Sequence, residues 1–216
     1  MKILPDTKIE KYRFIILLLA GIISIGYFVV SAMLPYIEYI PEEGDVIFQS
    51  LPDSKLTRAI EGATGSPYSH AGMVIKKNGF WYVREAVGPV MDTRLYLWIV
   101  RGRRAHFAVF RLKEQYKKNI PKFINESEKY LGRPYDIYFE LDDEKIYCSE
   151  LIYKSFKDAT QENLGDLVKF KELNWKPHIG IIKSIEPEEV PYERKMITPG
   201  ELAKAQQLVK IYSNKI

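Results

Sequence analysis

Residues 14–34, FIILLLAGIISIGYFVVSAML, form a run of 21 residues without a charge. A helix needs roughly 20 apolar residues to cross a bilayer, whereas the apolar part of a cleaved signal usually spans about 7–15. Lys2, Lys8, Lys11 and Arg13 precede the run, and Glu38, Glu42, Glu43 and Asp45 follow it. Basic flanks stay on the cytoplasmic side. The sequence therefore predicts a single-pass membrane protein. Residues 1–13 are its cytoplasmic N-terminus, 14–34 an anchor or signal segment, 35–43 a linker and 44–216 an extracytoplasmic domain. The small residues Val30-Ser31-Ala32 also suit a signal peptidase. Cleavage near Ala32 would release the domain as a secreted protein, and both routes export it.

Export makes the cysteine usage informative. Of 216 residues only Cys148 is a cysteine. Oxidising compartments favour paired cysteines, and a lone thiol cannot brace its own chain. It is either a small buried apolar side chain or a reactive group. The net charge of +4 is spread along the sequence, which argues against a nucleic-acid partner. The basic stretches Arg101–Arg104 and Tyr116–Asn119 read as solvated faces.

Within the domain, Gly44–Phe48 reads as a strand and Ser54–Ala63 as a short helix capped by Ser54. His70–Lys77 and Phe80–Val87 read as strands joined at Asn78-Gly79, a strong hairpin signal. Ala105–Leu112 is a further strand. Glu114–Leu131 reads as a helix whose main body begins near Pro121, and Cys148–Ala159 as a helix burying Leu151, Ile152, Ser155, Phe156 and Ala159. His178–Ile185 is expected to be a strand. Thr198 starts a last helix, with Pro199 in its first turn and Glu201 three places after the cap. The stretch 161–195 has no other pattern; its Phe170, Trp175 and Tyr192 would line an apolar pocket or pack the domain.

Cys148 stands where a helix begins, so backbone N–H groups and the helix dipole favour its thiolate. The Cys148 N–H itself could help to hold an oxyanion. A base is needed, and the histidines are His70, His106 and His178. Position favours His70, at the start of a strand. Counting outward from Asn78-Gly79, residue 72 faces 85 and residue 70 faces 87. Glu85 is then a diagonal neighbour of His70 on one face of the hairpin, placed to orient the imidazole. No two candidate ligands have close metal-site spacing, and neither a metal nor a cofactor is expected.

The set YSHAGMVI, REAVG, GRPYD and YCSEL, spread from about Gly44 to the helix after Thr198, resembles the YaeF/YiiX group of permuted papain-like amidases, relatives of the NlpC-type cell-wall peptidases and of lecithin retinol acyltransferase. In that group histidine comes first, the polar third residue next and cysteine last, the order of His70, Glu85 and Cys148 here. The resemblance implies an α+β, permuted papain-like (NlpC-type) domain with an antiparallel sheet packed on helices. It implies Cys148 as nucleophile, His70 as base and later acid, and Glu85 as the orienting residue. Tyr135 matches a tyrosine whose hydroxyl lies near the active site. Glu150 falls at a family-like position without an assignable step, and the helix dipole alone explains a carboxylate there.

The functional expectation is a membrane-tethered extracytoplasmic cysteine hydrolase cleaving amide bonds, of cell-wall peptide or a related amide, through a thioester. Two other readings stand beside it. One applies the same thiol chemistry to lipid acyl groups, as a thioesterase, phospholipase or acyltransferase. The other is an anchored binding module with Cys148 as packing.

Overall fold

Asn78 and Gly79 both adopt positive φ, 51° and 80°, the backbone that a two-residue hairpin turn demands and that these residue types tolerate. They join β2 (His70–Lys77) to β3 (Phe80–Ala86) in the register Lys77 opposite Phe80 and Met73 opposite Arg84. The same hairpin count had been read from the sequence. In this computed structural model residues 8–186 and 188–214 are described, with side chains given except at 8–10 and 28–37.

The hairpin lies in an antiparallel six-stranded sheet of order β4-β3-β2-β1-β5-β8, with β1 at Val46–Gln49, β4 at Val90–Arg94, β5 at Phe107–Leu112 and β8 at Leu208–Ser213. Period-two alternation gives the sheet two distinct faces. Val46, Phe48, Ala71, Met73 and Ile75 share the main core with Ile152 and Phe156 of α5 (Cys148–Thr160) and Phe123 of α4 (Ile120–Glu128). Buried Arg84 joins this side, donating to Ser127 Oγ at 2.9 Å and pairing with Asp92. The alternate positions include His70, Gly72 and Glu85. These meet α3 (Leu95–Arg101), whose Trp98 is fully buried. Gly72 is required there, because a Cβ would stand 2.3 Å from Val83 Cγ1.

Ser54 caps α2 (Lys55–Thr64), its hydroxyl accepting the Thr57 N–H at 3.0 Å, and Gly65 ends the helix with φ 59°. These are the usual partners for helix-end groups without intrahelical bonds. Thr198 caps α7 (Pro199–Ala203) in the same way, at 3.1 Å from the Glu201 N–H. The helix expected over 114–131 is a 3-10 turn, Glu114–Asn119, followed by α4 with Pro121 in its first turn.

The strand expected at 178–185 is instead a helix, α6 (Ile179–Ile185), after a 3-10 turn at Lys176–His178. A short apolar run does not by itself separate strand from helix. Pro177 supplies the φ of a helical first turn, and Ile181, Ile182 and Ile185 then fall on one side. A two-stranded ribbon of β6 (Val168–Lys169) and β7 (Lys195–Met196) flanks α6 in sequence.

The chain divides into two compact units, Met1–Ile40 and Pro41–Ile216. In the first, α1 runs from Lys8 to Glu38 as one helix. Among the described residues no helix is long and apolar enough to cross a membrane. The side chains at 28–34, the last part of the span expected at 14–34, lie outside the described residues.

Candidate active site

Cys148 is the first residue of α5 and His70 the first residue of β2, so the chain ends two elements at one place. Cys148, His70 and Glu85 are 4, 2 and 0% exposed, which makes any reagent reach the sulfur through a prepared opening. His70 Nε2 lies 2.5 Å from Glu85 Oε2. Cys148 acts on His70 directly, and the backbone N–H groups of Ala71 and Ser149 also favour its thiolate.

These contacts set the charges. Burial opposes a charged imidazole, but the hydrogen bonds and charges of Cys148 and Glu85 outweigh it and raise the His70 pKa to about 9. Burial likewise opposes a thiolate. The hydrogen bond and charge of His70, helped by the two N–H groups, still hold the Cys148 pKa below the ordinary thiol value. For Glu85 burial is again overcome, by His70 and Arg101, and its pKa falls to about 2. All three shifts run in the direction that favours a carboxylate–imidazolium–thiolate chain.

Glu85 is held on all sides. Thr93 Oγ1 donates to its Oε1 at 2.6 Å, and Trp98 Nε1 donates to Oε2 at 2.9 Å. Arg101 also donates to Oε2. The Trp98 ring stacks on His70, centroids 6.0 Å apart. Thr93 and Trp98 were not singled out from the sequence, and Arg101, read there as part of a solvated basic stretch, instead pairs with buried Glu85.

Cys148 is pinned from both neighbours. Tyr147 Oη accepts the Ile197 N–H at 3.0 Å, and Ser149 Oγ donates to the Ile197 carbonyl at 2.8 Å. Glu150 is buried and accepts the Tyr147 N–H at 3.2 Å, with Lys154 Nζ 2.9 Å from its other oxygen. Tyr135 pairs with Ile146 in an isolated bridge just before Tyr147. Burial first, then the charge of Cys148, keep its phenol protonated well above the ordinary value, so near Cys148 it is an O–H donor. His178 lines the same pocket as Cys148, but its ring packs at Gly62, where a Cβ would stand 2.2 Å from Nε2. His106 lies between the turn at Arg103–Ala105 and β5.

Cys148 forms part of the wall of a pocket with about 840 Å³ of empty space, partly open to solvent. Its lining is almost wholly apolar. Leu56, Ala59 and Ile60 come from α2, Ile181, Ile182 and Ile185 from α6, and Phe170 and Trp175 from the stretch that carried no sequence pattern. Phe170 and Trp175 are therefore pocket residues, and Tyr192 packs edge-on against Trp175.

A family model described as permuted papain-like amidase enzyme, YaeF/YiiX, C92 family, matches residues 40–212. The uncharacterized protein YiiX of Escherichia coli K12 is 33% identical over 180 residues, 82% of this chain and 89% of that protein. A crystal structure of YiiX from Escherichia coli O157:H7 has 34% identity and a TM-score of 0.77, covering 82% of this chain and 99% of that one. That structure is titled a metalloprotein. Here the donors do not fit a metal: no three His, Cys, Asp or Glu among the described residues are grouped to hold an ion.

Proposed function

Because this chain belongs to the YaeF/YiiX family of permuted papain-like amidases, we propose that it is a cysteine hydrolase cleaving the amide bond of a substrate that carries a long apolar acyl group. The apolar pocket ending at Cys148 is the observation that carries this reading. A cell-wall peptide is polar along its length and would leave its amides unpaired against isoleucine and leucine side chains. An alkyl chain gains about 0.8 kcal/mol for each methylene buried there.

The chemistry follows from the three charges. The Cys148 thiolate attacks the acyl carbonyl carbon, and the oxyanion takes hydrogen bonds from the Cys148 N–H and the Tyr135 hydroxyl. His70 gives its proton to the leaving nitrogen, the C–N bond breaks and a thioester remains. The now neutral His70 removes a proton from water, whose oxygen attacks the thioester. Collapse releases the carboxylic acid and restores the thiolate beside a protonated His70. Glu85 holds the imidazole and balances its charge throughout.

The N-terminal segment belongs to the same reading. An uncharged run at 14–34 with basic residues before it and acidic ones after supports a tether with the N-terminus in the cytoplasm and the domain outside, next to acyl-bearing lipid. Release after cleavage near Ala32 is the other outcome of a protease-protection test. The substrate reading is tested with a series of N-acyl aminocoumarins of increasing chain length and their ester counterparts. We expect kcat/KM to rise about fourfold per added methylene until the pocket is full, and Cys148→Ser to show no turnover. Rates indifferent to chain length would refute the acyl pocket. Cleavage of the esters alone would move the enzyme to the lipid esterase reading.

A further inference from the structure

The surface of the acyl pocket is almost wholly apolar, and one ion-paired cluster joins two of its walls. Arg194, Glu186 and Tyr138 all line it, and Arg194 joins the other two. Its Nη1 donates to the Tyr138 carbonyl at 2.7 Å and to the Glu186 carboxylate. Its Nη2 donates to Glu140 Oε1 at 3.2 Å. Glu186 is the residue that ends α6. One guanidinium thus spans two walls of the pocket: the α6 wall of Ile181, Ile182 and Ile185, and the wall of Ile137, Tyr138 and Phe139.

Beyond its packing on α2, little else fixes α6. The helix has seven residues and no side-chain cap at its start. Its amino end is seated through His178 in the Gly62 notch, so its carboxyl end depends on the Arg194 strap. A helix this short does not hold itself. The guanidinium is already satisfied by two carboxylates and a carbonyl, so it is not placed to recruit an anionic group from a substrate.

We propose that Arg194, through Glu186 and Tyr138, is the specificity-determining residue that sets the width of the pocket, admitting straight alkyl chains to Cys148 and excluding wide apolar groups. This rests on the acyl-pocket reading above. It goes beyond that reading by naming the residue that decides which acyl groups enter.

Because Cys148 is the only thiol of the chain, its alkylation reports access directly. Full-length protein is reacted with N-ethylmaleimide, N-dodecylmaleimide and N-(1-pyrenyl)maleimide, as the parent and as Arg194→Met. We expect the pyrenyl reagent to react at least tenfold faster with the variant, while the ethyl rate stays within twofold. Glu186→Gln keeps an acceptor without its charge and should give an intermediate pyrenyl rate, which serves if Arg194→Met does not fold. A pyrenyl rate unchanged in both variants overturns the proposal. So does an equal rise for all three reagents, which would mean general loosening. The parent separately tests the underlying reading. If the dodecyl reagent has no advantage over the ethyl one, the pocket is not an acyl site, while the pyrenyl comparison still decides whether Arg194 sets its width.

Discussion

In the proposed mechanism two protons, at Cys148 and His70, decide when the site can react. The active form needs a thiolate and an imidazolium together. The thiol pKa is held low, and His70 loses its proton only near about 9. We therefore expect kcat/KM to follow a bell whose alkaline limb falls near pH 9 and whose acid limb lies below the ordinary thiol range. The iodoacetamide rate of Cys148 should show the same acid limb. In His70→Ala that limb should move up to the ordinary thiol value or beyond, since burial alone raises it; an unmoved limb would mean the histidine does not form the pair. Glu85→Gln removes the counter-charge, so the alkaline limb should shift towards neutrality and kcat/KM should fall by roughly 10²-fold or more. The stability signs are opposite for the two partners. Raised from 6.5, His70 stabilises the fold fully below pH 6.5 and ceases to as pH passes 9. Lowered from 4.5, Glu85 stabilises it above pH 4.5 and ceases to as pH falls through 2. His70 and Glu85 were legible as neighbours because a hairpin register is local arithmetic from its turn. Thr93, Trp98 and Arg101 were not, because their contacts with Glu85 depend on where β4 and α3 return to the sheet.

The same contrast holds for elements. The strands β2 and β3 and the helices α2, α5 and α7 announced themselves through turn and cap residues such as Asn78, Ser54 and Thr198. The α6 sequence offered only an apolar run, and its helical form is decided by packing on α2. Strands β4 and β8 and helix α3 carried no local signal at all. At the start of α5 a buried carboxylate creates a measurable pH effect. Burial pushes Glu150 up to about 8 despite Lys154. Below pH 4.5 the folded and unfolded chains both hold this proton and there is no penalty. Between pH 4.5 and 8 only the unfolded chain ionises, so stability falls as pH rises, and the loss levels off above 8. Glu150→Gln keeps an acceptor for the Tyr147 N–H. Its unfolding free energy minus the parent's should grow across that window, on the order of 2–4 kcal/mol. A difference independent of pH in urea titrations would show that Glu150 is ionised throughout. Gly72→Ala tests the other side of the sheet. A Cβ 2.3 Å from Val83 Cγ1 and 3.1 Å from the Arg84 carbonyl oxygen should cost about 1–3 kcal/mol. An unshifted urea midpoint would mean that the hairpin yields at no cost.

For the whole molecule, the question is what the first unit contributes. Every residue of the main core lies between Val46 and Leu208, and the division between units falls at Ile40 and Pro41. The main core is thus made of the second unit's own residues. Residues 41–216 alone should unfold cooperatively at the same urea midpoint as the full chain, and Cys148 should keep its depressed pKa. On a soluble short-chain substrate the two proteins should turn over equally, since the triad and pocket residues all lie in the second unit. They should part on substrate embedded in vesicles. A tether replaces a search through solution by an effective concentration in the millimolar range, so full-length protein reconstituted in the vesicles should act faster than residues 41–216 added to them. Lowering the amount of vesicle should widen that gap, because only the untethered domain depends on meeting a membrane. Equal rates at every vesicle concentration would show that the N-terminal unit does not bring the site to its substrate, whatever else that helix does.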